Sequence, residues 1–205
     1  MPQTLAQPRE KVSPEFRIQW TREDCRRFVK QGNLQPGKYE LIEGDIIHKM
    51  GQKLSHSMVV MRLILWCVRV YGEQFVLTQA SINVAPEDNP TSEPEPDVFV
   101  LNRPASELLE ELPNPADLSL VIEVSDTTLR FDLSNKAGLY ARAGIGEYWV
   151  LDVVGRTLIV HREPQNGIYQ NVLRYFPEET LSPLTRPDVQ VTVETFLPTV
   201  ASSAE

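Results

Sequence analysis

Apolar positions follow two periods along this chain, and the switches between them mark its elements. Thr21-Arg22-Glu23-Asp24 has the form of a capping box and predicts a helix to about Lys30, with Gly32 as its stop. From Leu54 to Val70 the pattern is helical again. His56, Val60, Leu63, Cys67 and Val70 fall on one stripe, and Gly72 ends it. Asp132 to Ala143 predicts a third long helix closed by Gly144, with Leu133, Lys136, Ala137 and Tyr140 on one face. A short helix is expected over Ser106 to Leu112. Elsewhere the strand signal dominates. Tyr39 to His48 reads as two short strands around Gly44, and Phe75 to Val84 and Val98 to Leu101 as further strands. Leu118 to Val124 is almost continuously apolar, which fits a central strand covered on both faces. Tyr148 to Asp152 and Thr157 to Arg162 form a hairpin around Gly155, and Ile168 to Tyr175 adds another strand. Helices and strands in this mixed order predict an α/β or α+β fold, a mixed central sheet flanked by helices.

A length of 205 residues suits one domain with a real core. Residues 1–15 are polar and proline-containing and read as a flexible arm, 16–198 as the domain, and 199–205 as a flexible tail. No apolar stretch reads as long enough to span a bilayer, and the N-terminus lacks the basic start and apolar centre of a signal peptide. Cys25 and Cys67 are the only cysteines and show no metal spacing, which suits two reduced thiols in a cytoplasmic protein. The net charge of −8 runs against a nucleic-acid partner, because phosphate binding normally uses a basic surface. The acid is uneven, however. Residues 84–117 carry nine acidic side chains against Arg103 alone, whereas Arg22 to Lys30 holds four bases.

Two carboxylates stand in or beside apolar strands: Asp97 in Glu95-Pro96-Asp97-Val98-Phe99-Val100, and Glu123 in Leu120-Val121-Ile122-Glu123-Val124. A buried ionised carboxylate must be paired, hydrogen-bonded or bound to a metal. On neighbouring strands the two could share a divalent cation through oxygen ligands, with the carbonyl of Val124 adding a third. Lys136 lies on the helix stripe that should meet the sheet, where its ammonium could stabilise charge on a phosphate or orient a water. Two acids and a lysine at a sheet edge point to metal-dependent phosphodiester cleavage. Each residue also has a plainer reading. Asp97 could cap a strand end. Glu123 could be half of a buried ion pair with Arg130 or Lys136. Lys136 could snorkel to solvent, and Asp132 could be its ordinary helix-surface partner. His56 could be a satisfied core histidine, and Glu43, beside the turn glycine, reads as exposed. No G-x-S-x-G elbow, phosphate loop, zinc spacing or dinucleotide fingerprint offers a competing scheme.

Taken together, Glu95-Pro96-Asp97, Ile122-Glu123-Val124 and the run Asp132, Lys136, Tyr140, Gly144, then Glu147 to Asp152 resemble the PD-(D/E)xK nuclease superfamily. Tyr39-Glu40-Leu41-Ile42-Glu43-Gly44 and His56 match its restriction-endonuclease-like branch, long known as a domain of unknown function. The resemblance covers about residues 16–198. It implies a restriction-endonuclease-like core, Mg²⁺ (or Mn²⁺) on Asp97 and Glu123, support from Glu40, and homodimers. The superfamily lysine stands two residues after the glutamate, where this chain has Ser125. In the branch the lysine moves to the following helix, which implies Lys136.

The first reading is therefore a Mg²⁺-dependent endonuclease acting on DNA, with Asp97, Glu123 and Lys136 catalytic and Glu40, His56 and Asp132 in support. The second is a catalytically inactive nuclease fold that binds nucleic acid or a protein partner. A third is a purely structural ion-pair cluster. Tyr169, Tyr175 and Phe176 are candidates for a homodimer surface.

Overall fold

The computed structural model describes residues 18–49, 53–109 and 111–199. The expected arm 1–15 and residues 200–205 of the expected tail lie outside them. In chain order the elements begin with α1 (Arg22–Lys30), β1 (Tyr39–Ile42), β2 (Asp45–His48) and α2 (Leu54–Tyr71). Then come β3 (Val76–Leu77), β4 (Val98–Leu101) and β5 (Leu118–Ser125). A continuous helical segment follows, made of α3 (Leu129–Phe131), a π-helical turn (Asp132–Lys136) and α4 (Ala137–Arg142). The chain closes with β6 (Glu147–Asp152), β7 (Thr157–Gln165), β8 (Ile168–Tyr175), β9 (Thr180–Leu181) and β10 (Val191–Thr192).

Strands β3 to β8 form a six-stranded sheet in sequence order, and β1–β2 and β9–β10 are small antiparallel pairs. Within the large sheet only β5 and β6 run parallel. Parallel neighbours need a crossover rather than a tight turn. That crossover is the segment Leu129–Arg142, and it lays Lys136 across the sheet. This is a mixed α+β architecture with the sheet covered on both faces.

Alternation sorts the side chains. Val98, Val100, Leu120, Ile122, Val124 and Trp149 point to one face and meet Val59, Leu63, Trp66 and Cys67 of α2. Trp66 stacks on Trp149 with ring centroids 5.8 Å apart. Phe99, Val121, Tyr148 and Val150 point to the other face and meet Leu139, Tyr140 and Ala141 of α4. Strand β5 is buried along almost its whole length, as its apolar run predicts.

The hairpin β1–β2 turns through Glu43 (φ 51°) and Gly44 (φ 83°), opposing Ile42 to Asp45. Two successive positive φ values are the signature of the tight hairpin turn whose twist suits paired strands. A Cβ at Gly44 would also stand 2.7 Å from the Cβ of Gln19, so glycine is required twice over. This turn fixes the strand that carries Glu40.

Three expectations need correction. In place of the helix expected over Ser106 to Leu112, the described residues there form a single 3-10 turn, Ala105–Glu107. The strand expected over Phe75 to Val84 is confined to Val76–Leu77. Beyond it Gln79 adopts φ 48°, and Gln79 and Ile82 donate to the carbonyls of Pro96 and Pro94. Proline has no N–H to return, so no regular ladder forms there. The α2 helix, at 18 residues and a mean hydropathy of 1.3, is long and apolar enough by length and composition to cross a membrane. Its inner face is seated in the sheet core, while Leu54, Met58, Met61 and Leu65 form an exposed apolar stripe.

Candidate active site

The site forms where four elements converge on the α4 face of the sheet. Glu123 lies on β5 in the alternation class of Val121, so it faces the helical crossover. Val98 opposes Ile122 and Phe99 opposes Val121. The same register brings Asp97, one residue before β4, level with Glu123 on the same face. Asp97 Oδ2 accepts a hydrogen bond from the Val124 N–H at 2.8 Å. A strand residue's N–H and C=O point to the same side, so the Val124 carbonyl also faces the gap beyond the end of β4.

Lys136 arrives from the π-helical turn and is 4% exposed. Its Nζ lies 2.9 Å from Glu123 Oε1 and 3.0 Å from Glu40 Oε2. Glu40 comes from β1 and is itself buried. The Tyr140 hydroxyl, one turn beyond Lys136, donates to Glu123 Oε1 at 3.1 Å. Asp132 is buried, not a surface partner. Ser125 Oγ donates to its Oδ2 at 2.9 Å and Thr128 Oγ1 at 2.6 Å. His56 Nε2 stands 3.5 Å from Asp97 Oδ1 without a hydrogen-bond partner, which is not the arrangement of a satisfied core histidine. Glu95, on the rim, pairs with Lys49 at 2.6 Å.

The structure thus brings Glu123, Lys136, Glu40 and Asp132 into one buried cluster, with Asp97 and His56 at its edge. Of the two bases offered as partner to Glu123, Lys136 fills the role and Arg130 is exposed. Glu43 pairs with Arg142 at 2.7 Å and is half-buried. Tyr169, expected at a dimer surface, is buried against Tyr148 and His161. Of the other two, Tyr175 packs half-buried against the α2 face of the core and Phe176 is exposed. The roles of Tyr140 and of the two hydroxyls were not anticipated. Tyr140 could have been found as the next polar tip on the Lys136 face. Ser125 could have been found as the residue occupying the superfamily's lysine position.

Charge in the cluster is unbalanced. Three carboxylates, from Glu123, Glu40 and Asp132, act on the ammonium of Lys136, and a fourth, Asp97, adds its charge at Glu123. Burial pushes the Glu123 carboxyl up to about 8; Lys136 works the other way, and Asp97, Asp132 and Glu40 add to the rise. Burial likewise raises Asp132. For Lys136 burial opposes the charged form, but Glu123, Glu40 and Asp132 outweigh it and hold the ammonium protonated. Burial and then Glu123 keep Tyr140 a neutral donor.

A divalent cation fits this donor set. Asp97 and Glu123, level with each other on one face of the sheet, and the Val124 carbonyl are hard oxygen donors of the kind Mg²⁺ takes, and the acids around Glu123 give the region surplus negative charge. Among the described residues no group of three or more His, Cys, Asp or Glu forms a ready metal cluster. A Mg²⁺ held by two carboxylates and retaining several waters does not need one.

A family model described as "Uma2: Putative restriction endonuclease" matches residues 25–194. Among solved structures, the chain is similar to "a putative nuclease belonging to DUF820" from Anabaena variabilis. The identity is 18% and the TM-score 0.58, covering 77% of this chain and 88% of the other. That likeness establishes the restriction-endonuclease-like fold. No curated protein matches the chain.

Removing the ammonium exposes the charge imbalance directly. Lys136→Met, in the absence of divalent metal, leaves Glu123 and Glu40 facing each other without their counter-ion. The expected loss is about 3–5 kcal/mol in urea unfolding, the scale for breaking a buried pair. A loss below about 1 kcal/mol would show that the pair carries little of the local energy.

Proposed function

The chain belongs to the Uma2 family of restriction-endonuclease-like proteins, and on that premise we propose that it is a Mg²⁺-dependent endonuclease hydrolysing phosphodiester bonds in DNA. Family and fold together make it nuclease-like; the metal, the substrate and the site residues are this reading's own. The observation that carries it is a buried lysine shared by the carboxylates of Glu123, Glu40 and Asp132, with a fourth acid, Asp97, adding its charge at Glu123. A structural ion pair needs one acid per base. This site holds several acids to spare, and a cation together with a phosphate would use them.

Asp97, Glu123 and the Val124 carbonyl would hold Mg²⁺, which supplies Lewis-acid polarisation of a phosphoryl oxygen and acidification of a water molecule. The remaining work falls to the chain. Lys136 presents a compact positive charge whose position is fixed by Glu123 and Glu40. Such a preorganised cation stabilises charge developing on the phosphate and costs no reorganisation during the reaction. The Tyr140 hydroxyl holds Glu123 Oε1 and so orients that carboxylate. The Val124 N–H does the same for Asp97. His56, its Nε2 beside Asp97 and without a hydrogen bond, would relay a proton at the edge of the site. Two buried free thiols, Cys25 and Cys67, suit a cytoplasmic location.

The net charge of −8 favours a second reading, a nuclease fold that binds a partner without cleaving it. Asp97→Asn separates the two. The amide oxygen can still accept from Val124, so the fold is kept, while the metal loses an anionic ligand. With Mn²⁺ or Mg²⁺ the wild type is expected to nick supercoiled plasmid, and Asp97→Asn to fall at least ~100-fold. Equal rates in both proteins, or no cleavage by the wild type, would reject the catalytic reading.

We also propose a homodimer. The exposed stripe Leu54, Met58, Met61 and Leu65 on α2 supports it, with spacings that keep all four on one helix face. Light scattering is expected to give twice the chain mass, and Met61→Lys with Leu65→Glu to reduce it to one. A wild-type monomer at micromolar concentration would refute this.

A further inference from the structure

Beside the catalytic cluster, on the solvent side of the helical crossover, runs an open groove of about 740 Å³. It begins at Thr127 and Thr128, passes Arg130 and Phe131, and crosses the helix at Gly138. The groove is joined to the cluster through one side chain, since Thr128 both lines it and donates to Asp132.

Its charge differs from that of the protein as a whole. Arg130 is exposed, and among the described residues its guanidinium has no ion pair or hydrogen bond. The acid in the groove, Glu43, is already committed to Arg142 and Asn135. In a chain of net charge −8, most bases near the site are spent on intramolecular pairs: Lys49 on Glu95, Lys53 on Asp126, Arg142 on Glu43 and Asp88. Arg130 is the cation next to the cluster left for an outside anion. One residue along, the half-buried Phe131 offers an aromatic surface to the same space. Gly138 leaves the helix face bare; a Cβ there would meet only the Arg142 guanidinium, at 3.6 Å. A cation and an aromatic ring along a groove form the recurring arrangement for unpaired nucleic acid, with the cation on the phosphate and a base on the ring.

We propose that this groove is the subsite for the nucleotide adjoining the scissile phosphodiester, with Arg130 on its phosphate and Phe131 against its unstacked base, so that the substrate is single-stranded DNA at this position. The inference rests on the nuclease reading and adds a strand path and a substrate form to it.

The test is fluorescence anisotropy of a labelled oligothymidylate with Ca²⁺ present, on wild type, Arg130→Glu, Phe131→Leu and Gly138→Leu. Arg130→Glu is expected to weaken binding at least ~10-fold and to lower the salt slope by about one. Phe131→Leu is expected to weaken it several-fold with the salt slope unchanged, as loss of stacking would. Gly138→Leu fills the groove without changing charge and should weaken binding as well. Arg174→Ala, on β8 and outside the groove's lining, serves as the control and is expected to bind like wild type. Wild-type binding together with unchanged affinity in Arg130→Glu and Gly138→Leu overturns the groove and leaves the nuclease reading standing. Tighter binding of the same sequence as a duplex overturns the single-stranded assignment. A wild type that neither binds the oligonucleotide nor nicks plasmid overturns both.

Discussion

A single buried ammonium organises this end of the molecule. Lys136 is held between Glu123 on the central strand and Glu40 on the N-terminal hairpin, so one side chain links the sheet, the crossover helix and the first hairpin. The topology puts it there. Strands β5 and β6 are parallel neighbours, and the helix that must connect them passes over Glu123, the buried acid of β5. The π-helical turn adds to this, since it directs both Asp132 and Lys136 inward. Single π turns inside α-helices recur at functional sites. Here the turn is anchored twice: by the Ser125 and Thr128 hydroxyls on the Asp132 side chain, and by the Tyr148 hydroxyl on the Asp132 carbonyl.

A buried pair of one acid and one base is weak evidence of function, because such pairs are often structural. The surplus changes the argument. Glu40, Asp132 and Asp97 add to the field at Glu123, and that carboxyl is raised as a result of its burial and of theirs. A fold selected only for stability would gain by replacing some of these acids with apolar residues. Keeping them makes sense where a cation visits. Under the proposed endonuclease reading, the same surplus would reconcile an acidic chain with a phosphate substrate, because the acids would hold the cation rather than meet the phosphate. The positive surface that remains is small and local.

Much of this was legible in the sequence, and the exceptions share a cause. Periodicity located α1, α2 and the crossover helix, and the unbroken apolar run of β5 marked the central strand. Glu123 stood out because a glutamate inside such a run needs a partner. Lys136 stood out because a lysine on an apolar stripe does too. Contacts across elements were harder. Glu40 lies some 80 residues before Glu123 in the chain, and no periodicity links them. The Ser125 and Thr128 hydroxyls look like ordinary turn residues until the π turn brings Asp132 back over them. His56 shares an apolar stripe, which suggested core, yet its position near the start of α2 lifts it to Asp97. The strand beyond Leu77 failed for a local reason, since prolines on its would-be partner have no N–H to offer.

The proposed reading's central claim is that the Glu123 carboxylate is disfavoured by its buried, acid-rich surroundings and would be stabilised by a divalent cation. Thermal unfolding of wild type and Glu123→Gln, each with chelator and with Mn²⁺, tests it most directly. The folded-state pKa of Glu123 is raised to about 8 from an ordinary 4.5. Its contribution is therefore fully favourable below pH 4.5 and is lost as pH rises through 8. Without metal, Glu123→Gln should melt above wild type at pH 9, and the gap should close as the pH falls toward 4.5. With Mn²⁺ the wild type should gain stability and Glu123→Gln should not. A variant that melts below wild type at pH 9 without metal, together with a wild type indifferent to Mn²⁺, would show that Glu123 is an ordinary structural ion-pair partner and would contradict the account.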